Sequence, residues 1–223
     1  ASLVFAVLFI ILVPPVLLLT DVQMVAYDRD YYRAEYDKYG IPGHIGMSMD
    51  NLMEATEKLL LYLDNKRDDL NFKASFNHGE EEFFSPRDKL HMIDVRGLFV
   101  RGRLFRDISL IYIAVFIMLL FRGKPFRNQL RKLARHGIAI SAAGIAPVIV
   151  LIILMKIDFY KYFTVFHEIF FTNELWLLDP ATDRLINIFP QDLFTDMAFR
   201  ISYFYIAEMA AIFGSRCCNC CAM

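Results

Sequence analysis

No Gly-rich phosphate loop, no GxSxG elbow and no HExxH pair occurs in this chain of 223 residues. Without the first two there is neither a phosphate cradle nor a built-in serine nucleophile, so acyl-transfer chemistry here would need its nucleophile from the substrate. Without the third, His167-Glu168 has no second His one turn on, and a zinc site is poorly supported. Cysteine is confined to Cys217, Cys218, Cys220 and Cys221, at the very end of the chain. No disulfide framework is expected from such a cluster, and it is read as a non-catalytic group at the membrane interface, with adventitious metal or thiol chemistry as the alternative. Nor is there an excess of either charge: 24 Lys and Arg against 25 Asp and Glu leave a net charge of −1. That balance, with the charges spread very unevenly, excludes an arm for nucleic acid. No internal repeat or low-complexity tract is visible.

What the chain does have is apolar surface. Hydrophobic residues make up 57% and aromatics 15%, against an apolar share of about 45–50% in a soluble domain. The runs predict an all-α integral membrane protein with four transmembrane helices and a mostly helical extracellular cap. Transmembrane helix 1 is placed at 1–20; its core, Leu3 to Leu19, is about 17 residues, near the lower limit for a ~30 Å hydrocarbon layer. A cleaved signal peptide is the rival reading, but no basic region precedes it and no small-x-small site stands before Thr20-Asp21. The cap follows at 21–106, transmembrane helix 2 at 107–121, a basic cytoplasmic loop at 122–136, transmembrane helix 3 at 137–156, an aromatic extracellular loop at 157–197, transmembrane helix 4 at 198–214 and a Cys-rich cytoplasmic tail at 215–223. Arg122, Lys124, Arg127, Arg131, Lys132 and Arg135, with no acidic residue among them, put that loop in the cytoplasm by the positive-inside rule. Both termini are then cytoplasmic and both larger loops are outside. Glu208 in the fourth span is either functional or paired with a basic residue near the inner face.

Within the cap, Gly40-Ile41-Pro42-Gly43 reads as a turn, Asp50 as the cap of a helix burying Leu52, Leu59, Leu60 and Leu63, and Asn65 to Glu82 as a charged loop. Ser85-Pro86-Arg87-Asp88 is a helix start, with Ser as N-cap and Pro in the first turn. That helix carries His91 and Asp94 three residues apart, so the carboxylate can fix the imidazole tautomer; a solvated helix face is the plainer alternative. The stretch that organises the chain is Phe166-His167-Glu168-Ile169-Phe170-Phe171, running on through Asn173, Trp176 and Asp179-Pro180 to Phe189-Pro190. It is too polar to cross a bilayer and too aromatic for an ordinary loop. Phe163, Phe166, Phe170 and Phe171 surround His167 at helical spacing, which desolvates an imidazole and favours its neutral form, as a general base requires. A core histidine satisfied by its neighbours is the alternative. His44, His78 and His136 have less company and are read as structural or solvated.

Two blocks, Ser85-Pro86 with Leu90-His91-Met92-Ile93-Asp94-Val95-Arg96, and Phe166-His167-Glu168 with Asn173, Trp176, Leu178-Asp179-Pro180, Asp183-Arg184 and Phe189-Pro190, resemble the bacterial lipoprotein intramolecular transacylase family. The resemblance extends over nearly the whole chain, and its second block is the more specific. It implies a four-helix membrane protein with an extracellular cap in the bacterial cell membrane, with catalytic His91 and His167 where cap and membrane meet. It also implies the reaction: in a lipoprotein whose N-terminal cysteine carries diacylglyceryl on sulfur, the sn-2 acyl chain moves to the α-amine and a lyso-form results. Diacylglyceryl-modified lipoproteins and membrane lipid are then the partners, with no nucleic acid, metal or cofactor. His167 is expected as the base and His91 as acid or stabiliser. Asp94 or Glu168 would orient an imidazole, Asn173 and Arg184 would donate to the oxyanion, and Arg96, Trp176 and Asp179 would support the site. A non-catalytic protein whose outer cap binds a lipid or partner, and a metal-dependent membrane hydrolase, are the competing readings.

Overall fold

The computed structural model describes the backbone of residues 3–122 and 126–221, and the side chains of 4–122, 129 and 136–214. The described residues are helical apart from one hairpin and the connecting loops. In chain order they form α1 (Leu3–Ala26), α2 (Arg29–Lys38), α3 (Ile41–Ile45), α4 (Met49–Leu63), β1 (Lys73–Phe76), β2 (Gly79–Glu82), α5 (Pro86–Phe121), α6 (Phe126–Ile157), α7 (Phe159–Phe170), α8 (Arg184–Ile188) and α9 (Gln191–Cys221). Two compact units divide these elements.

The apolar unit comprises Ala1–Met24, Arg103–Ile157 and Ala198–Met223. Phe9, Phe116, Leu120, Ile140, Val148, Tyr205 and Met209 form its core. Among the described residues three helices that run through this unit are long and apolar enough to cross a membrane: Val4–Ala26, Pro86–Phe121 and His136–Ile157. Only 17–22% of their most apolar windows is buried, so most of that apolar surface faces outward, as it must where lipid is the solvent. The stretch 198–214, expected as a fourth span, is helical within α9 but does not join those three. Arg200, Glu208 and its tyrosines dilute the hydropathy. Glu208 Oε2 is buried with no hydrogen-bond partner among the described residues. The segment 122–136, expected as a loop, is already helical from Phe126. Its Arg, Lys, Gln, Leu and Ala residues are good helix formers, so α6 extends upstream of its apolar part. Lys124 lies outside the described residues, as do the side chains of the other basic residues from Arg127 to Arg135 and of the four cysteines.

The polar unit comprises Val25–Gly102 and Asp158–Met197. Its core gathers Tyr36, Leu52, Leu59, Leu60, Leu63, Phe83, Phe84, Ile188 and Leu193, and the Tyr36 hydroxyl meets Thr56 Oγ1 at 2.9 Å inside it. Leu52, Leu59, Leu60 and Leu63 are all buried, as their spacing predicts. The cap of α4 is Ser48, not Asp50: Ser48 Oγ accepts from Asn51 N, and Asp50 sits in the first turn. There its charge still complements the helix dipole. The tight chain reversal at Gly40 opens the short α3, with Gly40 at φ 61°, a left-handed conformation that glycine adopts without Cβ strain. Residues 65–82 are more ordered than a charged loop. Lys73↔Glu82 through Phe76↔Gly79 pair as an antiparallel hairpin around Asn77-His78, and Phe72, Phe76 and Phe83 stack along it at 5.5 and 6.1 Å. Phenylalanines hidden among the charges supply the apolar surface that a hairpin needs.

Candidate active site

The site is built from the start of α5, the end of α7 and the loop 171–183, all within the polar unit. Ser85 and Asp88 close a reciprocal cap: Asp88 N donates to Ser85 Oγ at 2.9 Å and Ser85 N donates to Asp88 Oδ2 at 3.0 Å. This is the capping-box geometry with Asp in place of Glu. The same fully buried carboxylate also accepts from Arg184 N at 3.1 Å and Leu185 N at 3.4 Å, so it caps α8 as well. Burial pushes the Asp88 carboxyl above the usual range, and the N–H donors pull it back. Asp183, 3% exposed, accepts from the Ser85 hydroxyl at 2.6 Å and from Asp179 N at 2.8 Å. One turn downstream of Asp88 stands His91. The clasp therefore fixes where that imidazole is presented.

Asp158 caps α7 by accepting from Lys161 N at 3.0 Å, and two turns later the helix presents His167. His91 and His167 are 7% and 6% exposed, with ring centroids 6.0 Å apart. Phe163 at 4.2 Å, Trp176 at 4.9 Å, and Phe166 and Phe171 each at 5.4 Å surround the His167 ring. Phe171 also meets His91, at 5.4 Å. The Nδ1 of His167 is 2.7 Å from the Phe163 carbonyl oxygen. A carbonyl only accepts, so Nδ1 carries the proton and Nε2 holds a lone pair. Burial lowers the His167 pKa, partly offset by that carbonyl. His91, in the part of α5 that precedes its apolar run, is held down to about 4 by burial first and by His167 second, against the pull of Asp94. Its Nδ1 is buried with no hydrogen-bond partner. Two neutral imidazoles thus face one another in an aromatic enclosure, one with its tautomer set and one with an unused nitrogen.

The other residues singled out from sequence divide sharply. Trp176 is in the enclosure. Asp94 accepts from Asn173 Nδ2 at 2.8 Å, and Asn173 Oδ1 accepts from Leu175 N at 3.0 Å. That pair ties the loop to α5, where the sequence reading had Asp94 orienting an imidazole and Asn173 holding an oxyanion. The group that orients His167 is a backbone carbonyl, and Glu168 is exposed. Arg184 is committed elsewhere. It donates to the Phe83 carbonyl at 3.1 Å, pairs with Glu81 at 2.9 Å and lies 4.2 Å over the Phe76 ring, so the expected oxyanion role does not fit its position. Arg96 bonds Asn65 and the Asp68 carbonyl and covers the Tyr62 ring. Asp179 braces its own turn by accepting from Ala181 N. Residues that sequence reasoning passed over include Asp88 and Arg87, which donates to the Glu174 carbonyl at 2.6 Å. The Ser-x-x-Asp spacing after Phe84 was the available signal for Asp88. Among the described residues no group of three His, Cys, Asp or Glu side chains could hold a metal ion.

The sequence model for the lipoprotein intramolecular transacylase Lit matches residues 7–194, which takes in nearly all of the polar unit and the apolar unit up to Ile157. The chain belongs to that family. The transacylase fold is seen in solved structures as well. The membrane-integral lipoprotein intramolecular transacylase Lit from Bacillus cereus is 20% identical and superposes with a TM-score of 0.81 over 97% of this chain and 94% of that one. A variant of the same Bacillus cereus protein with a histidine-to-alanine substitution, also 20% identical, gives 0.75 over 96% and 91%. No curated protein matches the sequence. The chain is therefore a membrane-integral member of the transacylase family, with its histidine pair in the polar unit.

Proposed function

We propose that this protein moves the sn-2 acyl chain of an S-diacylglyceryl-cysteine lipoprotein onto its own N-terminal α-amine. The observation that carries the reading is the pair of buried imidazoles 6.0 Å apart in an aromatic enclosure. The amine nitrogen attacks the sn-2 ester carbonyl and closes a ring of about eight atoms, which an enclosed pocket must hold in reactive geometry. Once the nitrogen has attacked, its N–H is acidic enough for His167 Nε2 to take the proton. The C–O bond to the glyceryl oxygen then breaks, and that oxygen receives the proton from His167. Nitrogen and oxygen sit on the same carbon, so one imidazole can serve both. His91 donates an N–H to the oxyanion. Each positioned acid or base is typically worth ~10²–10⁴-fold in rate. The reaction is an isomerisation that consumes no water and needs no cofactor. Exposed Phe166, Ile169 and Phe170 beside His167 offer apolar surface for acyl chains.

The reading places this site at the outer face of a bacterial cell membrane, with both termini in the cytoplasm and α9 as a fourth span. The test is tandem mass spectrometry of lipoprotein N-terminal peptides from bacteria lacking an N-acyltransferase, with and without this protein. Intact mass cannot report an isomerisation, so the fragments must place the acyl chain on nitrogen or oxygen. Peptides that stay diacylglyceryl with a free amine would overturn the reaction.

A further inference from the structure

Outside the histidine site, the polar unit contains a groove of 620 Å³ between α5 and the loop that joins α4 to β1. Tyr62, Asp68 and Leu70 line one wall, and Ile93, Gly97 and Arg101 the other. At about 100° per residue, His91 falls on the far side of α5 from Ile93, so this is a separate place.

The walls are already braced. Arg96 holds the loop through Asn65 and the Asp68 carbonyl, and Lys89 holds it through Asn71 Oδ1 at 2.9 Å. Asp69 also lines the groove, and Arg67 donates to its carbonyl at 2.7 Å and lies 3.8 Å from its carboxylate. Arg101 is different. Exposed, with no hydrogen-bond or ion-pair partner among the described residues, its guanidinium lies over Gly97, where an added Cβ would come 3.8 Å from Nη2. A larger residue at 97 would fill this floor. The groove thus presents a bare guanidinium over an open patch of helix backbone, flanked by Ile93 at 56% and Val100 at 38% exposure.

α5 is also one of the helices long and apolar enough to cross a membrane. Arg101 precedes Leu104 by three residues and Ile108 by seven, which is about 4–10 Å along a helix. The polar layer on each side of a bilayer is about 5–8 Å thick. With α5 as a span, that spacing would set Arg101 at phosphate depth. Guanidinium binds phosphate through paired N–H donors, and the exposed aliphatic side chains suit a lipid's glycerol and first methylenes.

We propose that this groove holds the phosphodiester headgroup of a membrane glycerophospholipid, with Arg101 as its anion ligand. The Asp68 carboxylate at the rim accepts from a headgroup donor, so glycerol and ethanolamine headgroups are preferred over choline. The proposal stands apart from the acyl-transfer reading, and a His167→Ala protein retains the lipid as the wild type does.

The experiment is native mass spectrometry of the full-length protein in detergent, titrated with phosphatidylglycerol or with a diacylglycerol of the same chains. One phosphatidylglycerol is expected to stay bound, and diacylglycerol about tenfold more weakly. Arg101→Gln lowers phosphatidylglycerol retention to the diacylglycerol level, and Gly97→Leu does so by filling the floor, both with unchanged helical circular dichroism. Equal retention of diacylglycerol overturns the proposal. Wild-type retention by both variants does the same, as does displacement of the lipid by millimolar inorganic phosphate or by an unlipidated substrate peptide.

Discussion

The two units hold their helices in place by different means. In the polar unit, single side chains tie the ends of distant elements together: Asp88 takes three backbone N–H groups from the starts of α5 and α8, and Asp183 joins Ser85 to the turn at Asp179. In the apolar unit the decisive contact is a missing side chain. A Cβ at Gly144 of α6 would stand 2.5 Å from Tyr205 Oη, 3.0 Å from Met209 Sδ and 3.2 Å from Pro14 Cβ, so three helices meet where only glycine fits. Directed bonds accompany that packing: Ser141 Oγ donates to the Met209 carbonyl at 2.9 Å and Tyr112 Oη to the Phe5 carbonyl at 2.8 Å. The contrast follows from the solvent. Where water competes, position is secured by hydrogen bonds to helix ends that would otherwise be hydrated. In lipid, hydrophobic association contributes little between helices, and close packing at small residues does the work.

The contrast can be broken most severely at the histidines. His167→Ala is expected to cut acyl transfer per folded molecule by ~10²–10⁴-fold, measured on purified lipopeptide. His91→Asn, which keeps an N–H donor, should retain more activity than His91→Ala; equal loss would remove His91 from the oxyanion. Next in size is Asp88→Ala, which strands three buried N–H groups and should cost about 2–4 kcal/mol. Because the clasp sets the pose of His91, its activity should fall even at temperatures where circular dichroism shows a folded protein.

Gly144→Ala asks the same question of the apolar unit. Overpacking there should cost about 1–3 kcal/mol, read as a lower melting temperature in detergent, with residual activity per folded molecule unchanged. Gly43→Ala, in open space, is the control. The last comparison is a pH limb. His91 is held near 4 when folded but titrates near 6.5 when unfolded, so the unfolded chain binds its proton first as pH falls. Its contribution to stability is complete above about 6.5 and is lost progressively as the pH drops toward 4. His91→Phe should flatten that limb in melting temperature against pH, and an unchanged limb would assign it to other groups.

Much of this was legible in advance, and the particular residues show why. The three apolar helices, the Ser85-Pro86 helix start and the helical row of leucines in α4 are written in composition and local period, which need no knowledge of the rest of the chain. His167 stood out because Phe163, Phe166, Phe170 and Phe171 lie within four residues of it. The hairpin at 73–82 was obscured by its charges, although Phe72, Phe76 and Phe83 were in plain view. The partner choices were not legible at all. Arg184 could reach an oxyanion as far as its chemistry goes, and Asp94 could bond an imidazole; the fold gives the first to Glu81 and the Phe83 carbonyl and the second to Asn173.

By itself, then, the sequence determined that the chain is helical and rich in lipid-facing surface, and that a phenylalanine-ringed imidazole at 167 is desolvated, since each rests on neighbours within a few turns. Only the tertiary structure decided that His91 meets His167 across more than seventy residues, that a carbonyl fixes the tautomer of His167, and that Asp88 joins the starts of α5 and α8. Those outcomes depend on which of several chemically able partners the folded backbone brings within reach, and local periodicity carries no record of that competition.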